Sequence, residues 1–441
     1  MENGEIPEKA PIELKNTLVA GVQHFLAMIA GLLAPPIIIS SVANLPLEQK
    51  VYLVSVSLFA SGIATFFQCY RLGPLGSGLL AVQGTSFVFL GPCIAAGTKG
   101  GLALIGGMTL VMSFVEVVLS RLRFIIKKFF PPVVTGTVVM LIGFTLAPVA
   151  ITDLGGGFDV LKYNTNNFAT PKSLVLGLTT LIVIIVFSSF ARGIARLAAV
   201  SIGIVFGYIA AYFSGMLPAI NLSDYSWISV PFPLKHGFAF DNSFIFPFAI
   251  AYIISGIETV GDLTATCNVS GVPVSGDDYE ERISGGLLTD GAGSALAGLF
   301  NGAALTTYSQ NIGVISLTGV SNRVIGYVVS VILICLGIFP KLCVIFAAIP
   351  KPVIGGASIV LFGMIACSGL RIICNEGLSQ RNMIILAVSL SFGIGVTAVP
   401  QIAKNFPPVL KPIIESGSSL GAIVAVVMNL VLPAEIEEKP I

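Results

Sequence analysis

The feature that most constrains this chain is a series of apolar stretches, each close to the length of a membrane-spanning helix. A helix that crosses the hydrocarbon core of a bilayer needs about 20 mostly apolar residues. Only 10% of the 441 residues are charged, which is too few to cover a water-facing surface. The sequence therefore predicts an all-α polytopic membrane protein with fourteen spans. The predicted spans are residues 17–40, 51–69, 79–97, 101–120, 132–150, 173–190, 197–216, 243–265, 284–301, 303–319, 324–346, 353–370, 383–399 and 413–433.

The distribution of basic residues supports this number of spans. With the N-terminus inside, all nine arginines fall on the inner side, and the nine basic residues predicted outside are all lysine. Cytoplasmic loops of membrane proteins are enriched in Lys and Arg. Omitting either of the two weakest spans, 284–301 or 303–319, would place Arg323, Arg371 and Arg381 outside. We therefore expect a cell (inner or plasma) membrane protein whose N-terminal tail (residues 1–16) and C-terminal tail (residues 434–441) are cytoplasmic.

Fourteen spans divide into two repeats of seven, and repeats with an odd number of spans insert with opposite topology. Spans 3 and 10 then correspond to each other. Both contain polar residues and glycine, at 83–87 and 306–313, where a lipid-facing helix would contain leucine. Irregular backbone at membrane depth is tolerated only where protein or a cavity surrounds it. We expect a short extended strand in each of these spans, followed by a half-helix that offers free N–H groups to a ligand.

Few ionisable residues lie inside the spans, and such residues are usually functional because they are costly to bury in lipid. Glu258, near mid-depth in span 8, is the main candidate for accepting a proton or a ligand N–H. Asp262, one turn further on, either shares this role or ties span 8 to a neighbour. Asp290 in span 9 is a proton-relay or packing acid rather than a ligand contact. His24 in span 1 either makes a hydrogen bond between two helices or takes part in the proton relay. Glu116 in span 4 is placed close to a membrane face.

Two adjacent amides in span 10, Gln310 and Asn311, favour a flat, neutral ligand. An amide presents one acceptor oxygen and two donor hydrogens, which suits the alternating N–H and C=O groups of a purinedione or pyrimidinedione. Phe87 is placed either to stack on such a ring or simply to pack. An inorganic anion would favour Arg or Lys at mid-depth, and no predicted span has one there.

Several other classes of protein do not fit the sequence. A net charge of +1 gives no basic excess for nucleic acid. Seven cysteines without CxxC spacing and two histidines predict no metal site and no cofactor. An enzyme would need a catalytic motif around His24, the one histidine within a span, and none is present. A channel would need a continuous polar pore, whereas the polar residues cluster at one depth.

These residues bring out a resemblance to the nucleobase–ascorbate transporters, also called nucleobase:cation symporter family 2. The signature of that family is Gln, Glu or Pro, then Asn-x-Gly, four further residues, Thr, and Arg, Lys or Gly. The Gln23–His24 pair, the run 258–262 and Asp290 also resemble the family, and the resemblance covers essentially the whole chain. The matching signature residues are Gln310, Asn311, Gly313, Thr318 and Gly319.

The resemblance implies two inverted repeats arranged as a core domain (17–120 and 243–346) and a gate domain (121–242 and 347–433). It implies a homodimer that works by an elevator-like motion, with substrate bound between spans 3, 8 and 10. In such a site Glu258 and Gln310 would hold the base and Asn311 would shape the site.

The resemblance also assigns supporting residues. Backbone near Ser86 and Phe87 would complete the binding site. Asp290 and His24, with Asp262 and Gln23 beside them, would support proton coupling or the geometry of Glu258.

The resemblance further indicates the substrate. Uracil-type relatives carry Glu at the first signature position, whereas Gln310 resembles the xanthine and uric acid branch. Ser86 lies where relatives vary between Asn, Thr and Ser, and a small Ser leaves room for the C8 oxygen of uric acid. We therefore expect a proton-coupled symporter that imports xanthine, uric acid or both. The alternatives are a permease for uracil or another nucleobase, an anion transporter of the same fold, and sodium in place of the proton.

Overall fold

The computed structural model describes residues 13–121, 131–218, 221–407, 411, 414 and 416–433. The expectations for most of the N-terminal tail, for the basic loop at 122–130 and for the C-terminal tail lie outside these residues. Within the described residues the chain is mainly helical, with two three-residue strands.

The helices and strands follow the apolar stretches of the sequence closely. In the first half they are α1 (Leu14–Val42), α2 (Leu47–Cys69), β1 (Gln83–Thr85), a 3-10 turn (Phe87–Phe89), α3 (Leu90–Met112), α4 (Phe114–Leu119), α5 (Pro132–Leu154), α6 (Phe158–Tyr163), α7 (Pro171–Phe190), α8 (Ile194–Leu197) and α9 (Ala199–Phe213). In the second half they are α10 (Ile245–Val269), α11 (Asp277–Leu299), β2 (Leu305–Thr307), α12 (Gln310–Thr318), α13 (Val324–Gly337), α14 (Pro340–Ala347), α15 (Lys351–Glu376), α16 (Gln380–Ala398) and α17 (Gly417–Val431).

The break between predicted spans 3 and 4 lies inside helix α3. Gly101 has φ 60° and ψ −154°, a conformation that glycine adopts without the steric cost that a Cβ would bring. The chain changes direction there, so the residues before Gly101 belong to the half-helix that follows β1. The residues after Gly101 begin the return span.

Eight described helices are long and apolar enough to cross a bilayer, so the chain is a multi-pass membrane protein. The predicted span 324–346 is not one straight helix, because α13 and α14 meet at an angle of 84°. Pro340 begins α14 at a position where proline is favoured. Helix α11 starts at Asp277, earlier than the predicted span 284–301, since its acidic first turn extends beyond the apolar part. The total of fourteen spans stays a prediction.

The helices pack as two groups. The strand group consists of α1–α4 and α10–α13, which surround the two strands. The wall group consists of α5, α7, α9 and α15–α17, in which α15 packs along α5 and beside α7. These groups meet at a shared apolar cluster. The division into core and gate domains that move against each other stays a prediction.

Ion pairs distinguish the two ends of the strand group. At the lysine end, named for Lys50, Lys99, Lys235, Lys341 and Lys351, the hydrogen bond from Lys99 lowers the pKa of Asp241 to about 2.

At the arginine end, named for Arg71, Arg121, Arg282, Arg323 and Arg371, Arg282 Nε lies 2.7 Å from Asp278 Oδ2. Arg71 Nη1 lies 3.1 Å from Asp278 Oδ1. The hydrogen bond from Arg282, with help from Arg71, holds the pKa of Asp278 below its ordinary value.

Candidate functional site

The two short strands form the frame of the site. They pair antiparallel, with Gln83 opposite Thr307 and Thr85 opposite Leu305. A helical segment starts just beyond each strand, at Phe87 and at Gln310. The first N–H groups of a helix have no partner within it and carry the positive end of the helix dipole. The pairing therefore brings two sets of backbone donors to the same depth, between α10 and α1.

Asp290 on α11 holds this frame together. Its carboxylate accepts hydrogen bonds from Gln83 Nε2 at 2.5 Å, Thr307 Oγ1 at 3.0 Å and Thr307 N at 3.1 Å. Thr259 Oγ1 on α10 also donates to it. One buried acid thus links both strands with α10 and α11. The geometry gives Asp290 a structural task, while its expected part in proton coupling stays a prediction.

A cavity of about 350 Å³ lies between the strand group and the wall group. This volume is within the usual range for small-molecule sites. Its floor is formed by α10, the strand β2 and α12, and its opposite side by α5 and α15. The lining residues are Ala27, Phe87, Val88, Val139, Ile142, Leu197, Glu258, Asp262, Thr306, Thr307, Tyr308, Ser309, Gln310, Gly313, Leu361, Met364, Ile365 and Ser368.

Four of the residues singled out from the sequence as ligand or proton groups line this cavity: Glu258, Gln310, Phe87 and Asp262. No hydrogen bond joins the Glu258 or Gln310 side chain to another described residue, so both are available to a ligand. A carboxyl group beside an amide offers a matched set of donors and acceptors. The site can hold a flat, neutral molecule with N–H and C=O groups on its edge.

Other candidate residues lie behind the cavity wall. Asn311 and His24 are both buried and close together, but neither side chain makes a hydrogen bond to another described residue, so the role of His24 stays a prediction. Ser86 is buried, and its hydroxyl accepts a hydrogen bond from Val88 N at 3.3 Å. Gln23 is half-buried on α1 and does not line the cavity.

The signature residues 310–319 correspond to one complete structural element. They form helix α12 and its C-cap, Gly319, which has φ 69° in the left-handed region. Glycine is favoured at that position because it has no Cβ. Thr318 Oγ1 donates a hydrogen bond to Val314 O at 2.9 Å within the last turn. Gly313 lines the cavity beside Leu197.

Two polar groups have roles that the sequence did not reveal. Glu116, which we placed close to a membrane face, is fully buried among α4, α10 and α11, near Ser255 and Asp290. Tyr308 Oη donates towards Thr85 O at 2.6 Å and Gly31 O at 3.1 Å, and so fastens the strands to α1. The irregular run before Gln310 was the signal for Tyr308, whereas nothing in the local sequence gives the complete burial of Glu116.

The fold is similar to that of solved transporters. The transmembrane domain of a cyanobacterium bicarbonate transporter, BicA, superimposes with a TM-score of 0.61 at 15% identity, covering 91% of this chain and 98% of that one. The murine Slc26a9 anion transporter, in the inward-facing state, gives a TM-score of 0.64 at 11% identity, covering 96% of this chain and 69% of that one. At these identities the likeness shows a common fold.

Curated relatives are much closer in sequence. The xanthine permease XanP of Escherichia coli K12 is 40% identical over 432 residues, covering 96% of this chain and 93% of that protein. XanQ of the same strain, also a xanthine permease, is 36% identical, covering 97% and 93%. The xanthine permease of Bacillus subtilis 168 is 34% identical, covering 94% and 93%.

A family model described as a permease family matches residues 15–402. The match includes both strands, the acids of α10 and α11 and the whole signature helix. Its members are transporters rather than enzymes. Together with the identity to the permeases above, this match shows that the chain belongs to the nucleobase–ascorbate transporter family of membrane permeases.

Proposed function

We propose that this permease imports xanthine, uric acid or both together with a proton, across the cell membrane and by an elevator-like movement of its core domain. One observation carries the proposal: the free side chains of Glu258 and Gln310 line the same cavity, at the start of a half-helix. The names of the three relatives described above, each a xanthine permease, support the purine substrate.

The chemistry of the cavity fits the edge of a purinedione. The Gln310 amide donates to a ring carbonyl and accepts from a ring N–H, and the Glu258 carboxyl group takes a second N–H. Phe87 offers its ring to the flat face of the base. Small-molecule sites combine such apolar walls with a few placed polar groups.

The same carboxyl group provides a reason for coupling. A charged, unpaired carboxylate is costly to carry through a low-dielectric barrier. The base-loaded core therefore moves inwards only with Glu258 protonated, or with one proton shared between Glu258 and Asp290, and the core returns empty after that proton has left. The loaded core releases base and proton together on the inner side, and the proton gradient then drives accumulation.

The lining of the cavity extends towards one end of the molecule. From Glu258 it continues past Asp262 on α10 and past Ser368 on α15, both towards the arginine end. The positive-inside rule places that end in the cytoplasm, as we predicted from the sequence. We therefore assign an inward-facing state of the proposed cycle to this structure, in each subunit of a proposed homodimer.

An anion transporter of the same fold is the main competing function, because the structural neighbours include one for bicarbonate. The described residues that line the cavity include two acids, Glu258 and Asp262, and no Lys or Arg. Such a lining repels an inorganic anion. The second competing function is that of a uracil permease. Uracil-type members of the family carry Glu at the first signature position, where this chain has Gln310.

The test is uptake of radiolabelled xanthine, uric acid, uracil and bicarbonate by cells that express the chain and lack their own purine permeases. We expect saturable uptake of xanthine, uric acid or both, abolished by a protonophore and unchanged when sodium is replaced by choline. Uptake of uracil or bicarbonate without either purine would contradict the proposed substrate. Purine uptake that follows sodium would contradict proton coupling alone.

A further inference from the structure

Phe362 on α15 contacts the cavity-lining Phe87 across the boundary between the two helix groups. The ring centroids are 6.5 Å apart and the planes are at 84°, an edge-to-face arrangement that aromatic rings favour. Phe362 is only 1% exposed. Among the aromatic pairs of the described residues, this is the one that joins the strand group to the wall group.

Both rings are held by rigid backbone. Phe87 begins the 3-10 turn, which is anchored by the Ser86 N to Ala304 O hydrogen bond of 3.0 Å. Phe362 lies where α15 packs backbone against backbone on α5: a Cβ on Gly143 would lie 2.5 Å from the Phe362 carbonyl oxygen. Because neither ring can withdraw on a flexible segment, a relative movement of the two groups breaks their contact.

The contact lies at the closed side of the cavity. On α15, the cavity-lining residues run from Leu361 through Ile365 to Ser368, in the direction of the arginine end. In the opposite direction, Ile354 of α15, Leu146 of α5 and Phe248 of α10 join Phe362 in one continuous apolar cluster. The aromatic pair therefore lies between the open cavity and the sealed, lysine-end side.

We propose that Phe362 is the residue that closes the site towards the lysine end, by packing against Phe87 in the inward-facing state. The contact breaks whenever the site is exposed to the outside, and it re-forms when the core returns. This inference rests on the alternating access of the proposed function. It adds a residue of the wall group, outside the signature helix and the acids, to the transport machinery.

The test is the access of a water-soluble thiol reagent to the site from outside. The reporter is Ser309→Cys, because Ser309 is exposed to the cavity, in a chain whose exposed cysteines, Cys335, Cys367 and Cys374, are changed to Ser. A membrane-impermeant maleimide is added to the lysine-end side of sealed vesicles of one orientation. Adding Phe362→Ala is expected to speed labelling about tenfold. Loss of one aromatic pair from the inward-facing state shifts the population by about that factor towards the outward-facing state, in which the reporter thiol is accessible.

Two further variants make the result decisive. Phe392→Ala removes an equal ring from α16, where it is 53% exposed and away from the cavity, and it should leave the labelling rate unchanged. Phe362→Leu keeps most of the apolar volume without the ring, so it serves if the alanine variant does not fold. It too should speed labelling.

A folded Phe362→Ala or Phe362→Leu protein with the parental labelling rate would overturn the gate assignment. Labelling requires neither substrate nor a proton gradient, so its outcome is independent of the uptake measurements with radiolabelled xanthine, uric acid, uracil and bicarbonate. Failure of purine uptake with accelerated labelling rejects the proposed function and keeps the gate. Purine uptake with unchanged labelling keeps the function and rejects the gate.

Discussion

Replacing Glu258 with glutamine is expected to abolish accumulation of xanthine against its gradient. One proton that crosses a potential of 100 mV supplies about 2.3 kcal/mol, which corresponds to about fifty-fold accumulation. Glutamine has the size of Glu258 and keeps a hydrogen-bonding group in the cavity, but it cannot take up or release a proton. Uptake by Glu258→Gln should therefore end at equal concentrations on both sides.

The measurement is steady-state accumulation of labelled xanthine in energised cells, with and without a protonophore. Glu48→Gln is the matched control, because the Glu48 side chain is 76% exposed at the lysine end, and it should accumulate xanthine as the parent does. Protonophore-sensitive, full accumulation by Glu258→Gln would remove Glu258 from the coupling mechanism. Xanthine exchange across the membrane by this variant would separate a coupling defect from a folding defect.

Replacing Asp290 with asparagine is expected to destabilise the whole frame of the site. Asp290 accepts hydrogen bonds from Gln83, Thr259 and Thr307, including the backbone N–H of Thr307. Asparagine has one acceptor oxygen and turns an N–H₂ group towards these donors. Leaving buried donors without acceptors should lower the free energy of unfolding by about 2–4 kcal/mol.

The measurement is the thermal unfolding midpoint of the purified protein in detergent. Asp262→Asn is the matched control for stability, because Asp262 lines the cavity on the neighbouring helix and its carboxylate accepts no hydrogen bond from another described residue. We expect the midpoint to fall for Asp290→Asn and not for Asp262→Asn. Equal midpoints in the two variants would show that the Asp290 hydrogen bonds do not hold the strands together.

Some features of this protein follow from short stretches of sequence. Polar, glycine-containing runs at 83–87 and 306–313 interrupt apolar spans. Strand β1 lies within the first run, and β2 overlaps the start of the second. The reason is local: a lipid-facing helix of such composition is unfavourable, so irregular backbone must be enclosed by protein. Glu258 and Gln310 could be chosen as candidate ligands in the same way, because an ionisable or amide group at mid-depth has few other uses.

Other features depend on packing between distant segments. The local sequence around Glu116 gives its distance from the end of a span, but its complete burial follows from how α4 meets α10 and α11. Similarly, Ser86 belongs to a run that faces the site, yet its hydroxyl caps the turn behind the cavity. Which side of a helix faces a cavity depends on the rotation of each helix against its neighbours.

The sequence by itself determined the membrane class, the transporter family and the chemistry of the proposed binding groups, because hydropathy, charge bias and a signature are local properties of the chain. Only the tertiary structure decided the wall of the cavity and its closed side. Val139, Ile142, Leu361 and Phe362 are ordinary apolar residues of apolar spans. They gain a role because α5 and α15 pack opposite the strand pair, through contacts between segments that are far apart in the chain, Pro132–Leu154 and Lys351–Glu376.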